Sequence, residues 1–140
     1  MLSTTKEFLA LNLSDDLREI VLDLNEKDWG ILRTVKPYVA RHEIFIGHDD
    51  DYPIVYEKNG IFLHDPLLKR YINQDIRKFL QCLTAYEMYG KEVQNVIGED
   101  EQLCVVNHYI DIFNQIDATC RINENNFWSI ISDQMEEGNL

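Results

Sequence analysis

The sequence predicts an α+β fold, a small antiparallel sheet covered by helices, because strand-like runs occupy the first half of the chain and helical runs the second. Three observations carry this reading. His42–Gly47 (HEIFIG) alternates, with Ile44 and Ile46 on one face and Phe45 on the other. Tyr52–Glu57 and Ile61–His64 flank Lys58-Asn59-Gly60, a hairpin signal. From Asn73 onward, apolar residues recur at helical spacing in successive stripes.

Taken in order, residues 3–11 are expected to form a short helix capped by Ser3 or Thr4, with Phe8, Leu9 and Leu11 as its apolar residues. Ser14 caps a second candidate helix in which Leu17, Ile20, Val21 and Leu24 share a face, although Ile20, Leu22 and Leu24 also alternate as a strand would. Trp29 to Val39 reads as extended, broken at Pro37. At the hairpin, Asn59 and Gly60 accept the positive φ of a tight turn, and Pro53 suits a strand end or edge because it has no N–H to donate. Three antiparallel strands of this kind leave one face for helices.

Asn73 is expected to open the clearest helix. Ile76, Phe79, Leu80, Leu83 and Tyr86 make its apolar stripe against polar Asp75, Arg77, Lys78 and Gln81. The pattern runs past Gly90 toward Val96 and Ile97, although Gly90 costs about 1 kcal/mol relative to alanine. Gly98-Glu99-Asp100 breaks the chain, with Asp100 as a cap, and Leu103, Val106, Ile110 and Phe113 form the next stripe. Asn123 or Asn125 begins the last helix, with Phe127, Ile130, Ile131, Gln134 and Met135 inward and Gly138 ending it. No repeat, linker or low-complexity segment divides residues 1–140, so one domain is expected.

Charge narrows the function classes. Thirteen basic against 25 acidic residues give a net charge of −12 and a pI near 4.6. Nucleic acid and anionic membrane surfaces are poor partners for such a chain, because both are bound through Lys and Arg. A basic protein would be attracted, and associate faster at low salt, although acidity also serves plain solubility. No apolar run approaches the roughly 20 residues of a membrane-spanning helix. The N-terminal MLSTTKEFLALNLSDD lacks the pattern of a signal peptide, so a cytoplasmic location is expected. Cys82, Cys104 and Cys120 form no CxxC or Cys/His zinc spacing and read as buried free thiols of a reducing compartment.

No catalytic constellation stands out, and neither a cofactor nor a metal is expected. Six dispersed glycines make no phosphate loop, and His42, His48, His64 and His108 have no partners at metal-ligand spacing. His64-Asp65 is no acid/base pair, because adjacent strand residues point to opposite faces. The densest polar cluster, His48-Asp49-Asp50-Asp51, offers oxygen ligands but not the alternating spacing of a calcium loop. It reads as a solvated acidic turn that doubles as a contact patch. The candidate partner-binding residues are therefore Asp49, Asp50, Asp51, Glu57 and Asp65, joined by Tyr52 and Tyr56 if the hairpin's second face is open. Tyr86 and Trp128 fall at core spacing.

Several of these features occur together in a known pattern. Ile46-Gly47-His48-Asp49 ends a strand in Ile-Gly followed by acids, and Gly60 turns a hairpin. Tyr71-Ile72-Asn73-Gln74-Asp75-Ile76-Arg77-Lys78-Phe79 leads into a helix, and Ile116-Asp117, Phe127-Trp128 and Gly138-Asn139-Leu140 follow. Over about residues 40–140 this resembles the SUKH superfamily of bacterial toxin-immunity proteins, most closely its fourth family. The first forty residues lack the Leu-Pro segment and Asn-Gly-Gly-like turn of the wider superfamily. The resemblance implies a compact α+β immunity protein that binds and blocks a cognate toxin domain, often a nuclease, and it carries no catalytic residue across. Some members act instead as regulatory or scaffold proteins. The expected partner is thus a basic toxin domain met by an acidic surface, with a monomer or weak dimer as the state of the chain. The alternatives are a scaffold of the same fold that binds an endogenous protein, and a small enzyme or metal-dependent module centred on His48–Asp51.

Overall fold

The computed structural model describes residues 24–138. It shows the α+β architecture, but with six strands in place of the three expected from the alternating runs. The strands are β1 (Lys27–Asp28), β2 (Arg33–Ala40), β3 (Glu43–His48), β4 (Pro53–Glu57), β5 (Gly60–Leu63) and β6 (Arg70–Asn73). They pair antiparallel in sequence order, a plain meander. Helices α1 (Ile76–Val93), α2 (Glu99–Ile116) and α3 (Phe127–Glu136) follow. The proposed helix over residues 3–11, and all but Leu24 of the next apolar face, lie outside the described residues. Leu24 itself is buried in the core.

Two short strands escaped the alternation argument because their pattern is irregular. The Trp29–Val39 segment contains β2, which continues through Pro37 rather than breaking there. The register slips between Thr34 and Tyr38, and an irregularity of this kind tolerates a residue that cannot donate to the ladder. Pro53 stands first in β4, as a strand-end proline should. Gly47 faces β2 so closely that a Cβ would lie 2.4 Å from the Arg33 carbonyl oxygen, so only glycine lets the two strands approach here.

The β4–β5 hairpin turns at Lys58-Asn59, with Glu57 paired to Gly60, where the sequence places it, but its backbone differs from the expectation. Asn59 does not take a positive φ; Gly60 alone does in that hairpin, at 144°, where a Cβ would meet the Asn73 carbonyl oxygen at 2.8 Å. The pair of left-handed residues is Arg41 (φ 54°) and His42 (φ 67°), closing the β2–β3 hairpin between Ala40 and Glu43. Such a two-residue turn favours Asn-Gly, and nothing in Arg-His signals it. Replacing the pair by Asn-Gly is expected to raise stability by about 1–2 kcal/mol, read as a higher urea midpoint at unchanged slope. An unchanged or lower midpoint would show that the turn stores no strain.

Helices α1, α2 and α3 all contribute to one buried cluster with a single face of the sheet. Ile44, Ile46, Ile54, Ile61, Leu63 and Ile72 meet Ile76, Phe79, Leu83, Val106, Phe113 and Trp128 there. Asn73 does not cap α1. It ends β6 fully buried, and Asp75 caps instead, its carboxylate accepting from the Lys78 N–H at 2.8 Å. The helix ends at Val93, short of Val96 and Ile97. In α2 the cap position is Gly98, so Asp100 lies in the first turn, and Leu103 at the edge of the stripe is exposed. The last helix starts after Asn126 rather than Asn123 or Asn125. Cys82 and Cys120 are buried thiols as expected, whereas Cys104 is exposed. Among the described residues no helix is long and apolar enough to cross a membrane.

Candidate functional site

Strand residues alternate between faces, so a sheet whose one face meets the helices presents the intervening residues on the other. Those residues fall into register. Tyr38 pairs with Phe45, Phe45 with Val55, Val55 with Phe62 and Phe62 with Tyr71, giving one row across β2 to β6. Tyr38 and Phe45 stack with centroids 5.2 Å apart, and Phe62 and Tyr71 meet edge to face at 5.5 Å. Tyr38 is exposed, and Phe45, Phe62 and Tyr71 are half-buried. Val55 is fully buried yet stands outside the cluster shared with the helices.

An ion cluster lies over the middle of this row. Glu57 and His64 follow Val55 and Phe62 by two residues on paired strands, and their side chains reach toward each other, Glu57 Oε2 to His64 Nε2 at 2.5 Å. Glu43 Oε2 stands 3.4 Å from His64 Nδ1. A neutral imidazole carries one N–H, so it serves only one of these carboxylates, and only the imidazolium serves both. Lys69 Nζ donates to Glu57 Oε1 at 2.6 Å and sits 4.5 Å above the centre of the Phe62 ring. Burial would raise the Glu57 carboxyl, but the hydrogen bonds from Lys69 and His64 outweigh it and hold the group below its ordinary pKa.

The residues singled out as a contact patch do not form one surface. Asp49, Asp50 and Asp51 lie in the β3–β4 turn. Asp49 is spent on the turn itself, its Oδ1 accepting from the N–H of Asp51 at 2.8 Å and of Tyr52 at 2.7 Å. Asp50 and Asp51 are exposed, and a shallow groove of about 200 Å³ runs beside them, lined by Asp28, Arg33 and His48 among others. Asp65 follows β5 at the same end of the sheet, where the His64 N–H bonds the Pro53 carbonyl, and its carboxylate accepts from the Leu67 N–H. Tyr52 and Tyr56 pack against the helix-side core rather than the open face. Burial, with nearby Asp75, raises the Tyr56 hydroxyl pKa. Glu57 alone of the set belongs to the open face. Of its neighbours, Phe45 was legible as the off-face position of an alternating run, whereas Phe62 and Tyr71 were not.

A second polar constellation is structural. Asp117, fully buried, accepts from Asn73 Nδ2 at 3.0 Å and the Gln74 N–H at 2.9 Å, and from the Thr119 N–H at 3.0 Å and hydroxyl at 2.6 Å. Asn73 Oδ1 in turn accepts from the Trp128 indole N–H at 2.8 Å, and the Tyr71 hydroxyl bonds Thr119 at 2.6 Å. The Tyr-Ile-Asn, Ile-Asp and Phe-Trp segments thus converge on one satisfied network that joins β6, the α2–α3 connection and α3. With its donors and acceptors paired and its carboxylate shut from solvent, it suits a latch rather than chemistry.

Two grooves border the helices. One of about 440 Å³ between α1 and α2 is lined by apolar groups of Leu80, Ala85, Met88 and Ile112. The other, about 620 Å³ between α2 and α3, is flanked by Glu99, Asp100 and Glu136. Among the described residues no group of three or more His, Cys, Asp or Glu is placed to hold a metal ion. Compared with known protein families, curated proteins and solved structures, the chain has no match.

Proposed function

We propose that this chain is a binding protein, not an enzyme: an immunity protein of the SUKH kind that engages a basic toxin domain in the cytoplasm and blocks it. The observation that carries the reading is the sheet face turned away from the helices, where a row of aromatic side chains borders Glu43 and Glu57 on a chain of charge −12. Aromatic groups contribute most at interface centres because they bury large area for little lost entropy. Carboxylates around them favour a basic partner and disfavour a second copy of this acidic chain. Asp50, Asp51 and Asp65 add negative charge at the other end of β4 and β5 from Glu57. Against a nuclease toxin, these acids would occupy or border the phosphate-binding surface and exclude the substrate.

Reversing Asp50 and Asp51 together to lysine is expected to slow association with the captured partner by about tenfold at low salt and to flatten its salt dependence. Stopped-flow or surface-plasmon kinetics at several ionic strengths measure both. Unchanged rate and slope would remove the β3–β4 turn from the interface.

A further inference from the structure

The open face already holds a cation. Lys69 reaches across from the loop before β6 to place its ammonium both on the Phe62 ring, at 4.5 Å, and on Glu57, at 2.6 Å. About half of that side chain is exposed, so the contact is made at the surface by a flexible stem. Beside it, Glu43 stands at 3.4 Å from the far side of the His64 ring, with 41% of its side chain exposed. An aromatic ring face next to two carboxylates, as Phe62 presents, suits a planar, weakly hydrated cation with several fixed donors better than it suits a compact ammonium.

Resting on the reading of a basic partner, we propose that this face is a guanidinium seat. An arginine side chain of the partner stacks on Phe62 and its row and donates to Glu57 and Glu43, and Lys69 is the internal placeholder that it displaces. The partner is therefore recognised by arginine in particular and not by positive charge alone.

The test titrates the full-length chain, labelled for aromatic and amide NMR, with capped hexa-arginine and hexa-lysine peptides at equal ionic strength. Hexa-arginine is expected to bind about tenfold more tightly than hexa-lysine, with shifts centred on Phe45, Phe62 and Tyr71. Lys69→Met is expected to raise affinity for hexa-arginine about threefold or more while changing hexa-lysine by less than about twofold. Glu57→Gln is expected to remove most of the arginine preference. Equal affinity for the two peptides, with shifts confined to Asp50, Asp51 and Asp65, would overturn the seat and leave the basic-partner reading standing. A Lys69→Met gain equal for both peptides would likewise reduce the effect to net charge and overturn it. Failure of both peptides to bind would overturn the seat and the basic-partner reading together.

Discussion

Asp117→Ala is expected to lower the unfolding free energy by about 4 kcal/mol, a large share of the 5–15 kcal/mol typical of such a chain. The substitution strips four donors of their acceptor, and of these the Asn73 amide is fully buried while the Gln74 and Thr119 groups are partly so; a stranded buried donor costs about 1–3 kcal/mol. Asp117→Asn retains the shape yet turns an amide toward N–H groups, so it recovers only part of the loss. Urea unfolding followed by tryptophan fluorescence measures both, and a loss below about 1 kcal/mol for the alanine variant would mean that the network does not hold α3 to the sheet. The same group sets an acid limit. Burial alone would raise the Asp117 carboxyl pKa, but the hydrogen bonds from Thr119, Asn73 and Gln74 outweigh it and hold it below its ordinary value. A depressed folded-state pKa contributes stability that is present above the unfolded value of about 3.9 and is lost as pH falls through the folded one. Wild type is therefore expected to lose stability below about pH 4, and the Asp117→Ala variant to show a shallower decline there.

Trp128→Ala is the second large effect, at about 3–5 kcal/mol. Trp128 is fully buried, with Phe113 at 4.7 Å and Phe127 at 5.2 Å between ring centroids, and its indole N–H is bonded to Asn73. Two contributions combine: a cavity where the ring stood, and an Asn73 oxygen left without its donor. Trp128→Phe separates them, because it retains most of the apolar contact and removes only the N–H. In a double-mutant cycle with Asn73→Ala, Trp128→Phe is expected to show a coupling of about 1 kcal/mol. Additive losses would mean that the bond contributes nothing beyond packing.

These two residues also show what the sequence made legible. Period-two alternation in β3, the hairpin signal between β4 and β5 and period-3.6 stripes in the helices were legible, and the α+β class and many core positions follow from them. Asn73 and Asp117 were visible as polar residues in memorable segments, but not as partners. Their meeting depends on how a strand end and an interhelix connection pack across 44 residues of chain, which no local pattern encodes. Asn73 was accordingly mistaken for a helix cap, although Asp75 two residues on performs that role. The turn at Arg41–His42 was missed for the opposite reason, since its backbone is imposed by the flanking strands against the preference of its residues.

The candidate surface followed the same division. Acidic residues crowded in sequence attracted notice, yet Asp49 is spent on its own turn, and Tyr52 and Tyr56 face the helices. The row Tyr38–Phe45–Val55–Phe62–Tyr71 is spread over five strands and becomes contiguous only through their register. Phe45 was visible as the alternate of Ile44 and Ile46, and the other members were not. That they align needed the pairing.

The central claim is that this face meets a basic protein. The most direct measurement uses tagged wild-type chain and the Glu43→Lys/Glu57→Lys variant as parallel baits in lysate of the native producer, washed at low and moderate salt, with captured proteins identified by mass spectrometry. The account predicts one basic protein on the wild-type bait, released as salt rises and absent from the variant, whose toxicity to cells the wild-type chain suppresses on co-expression. Retention of the same protein by the variant, or capture of a neutral or acidic partner insensitive to salt, would contradict it.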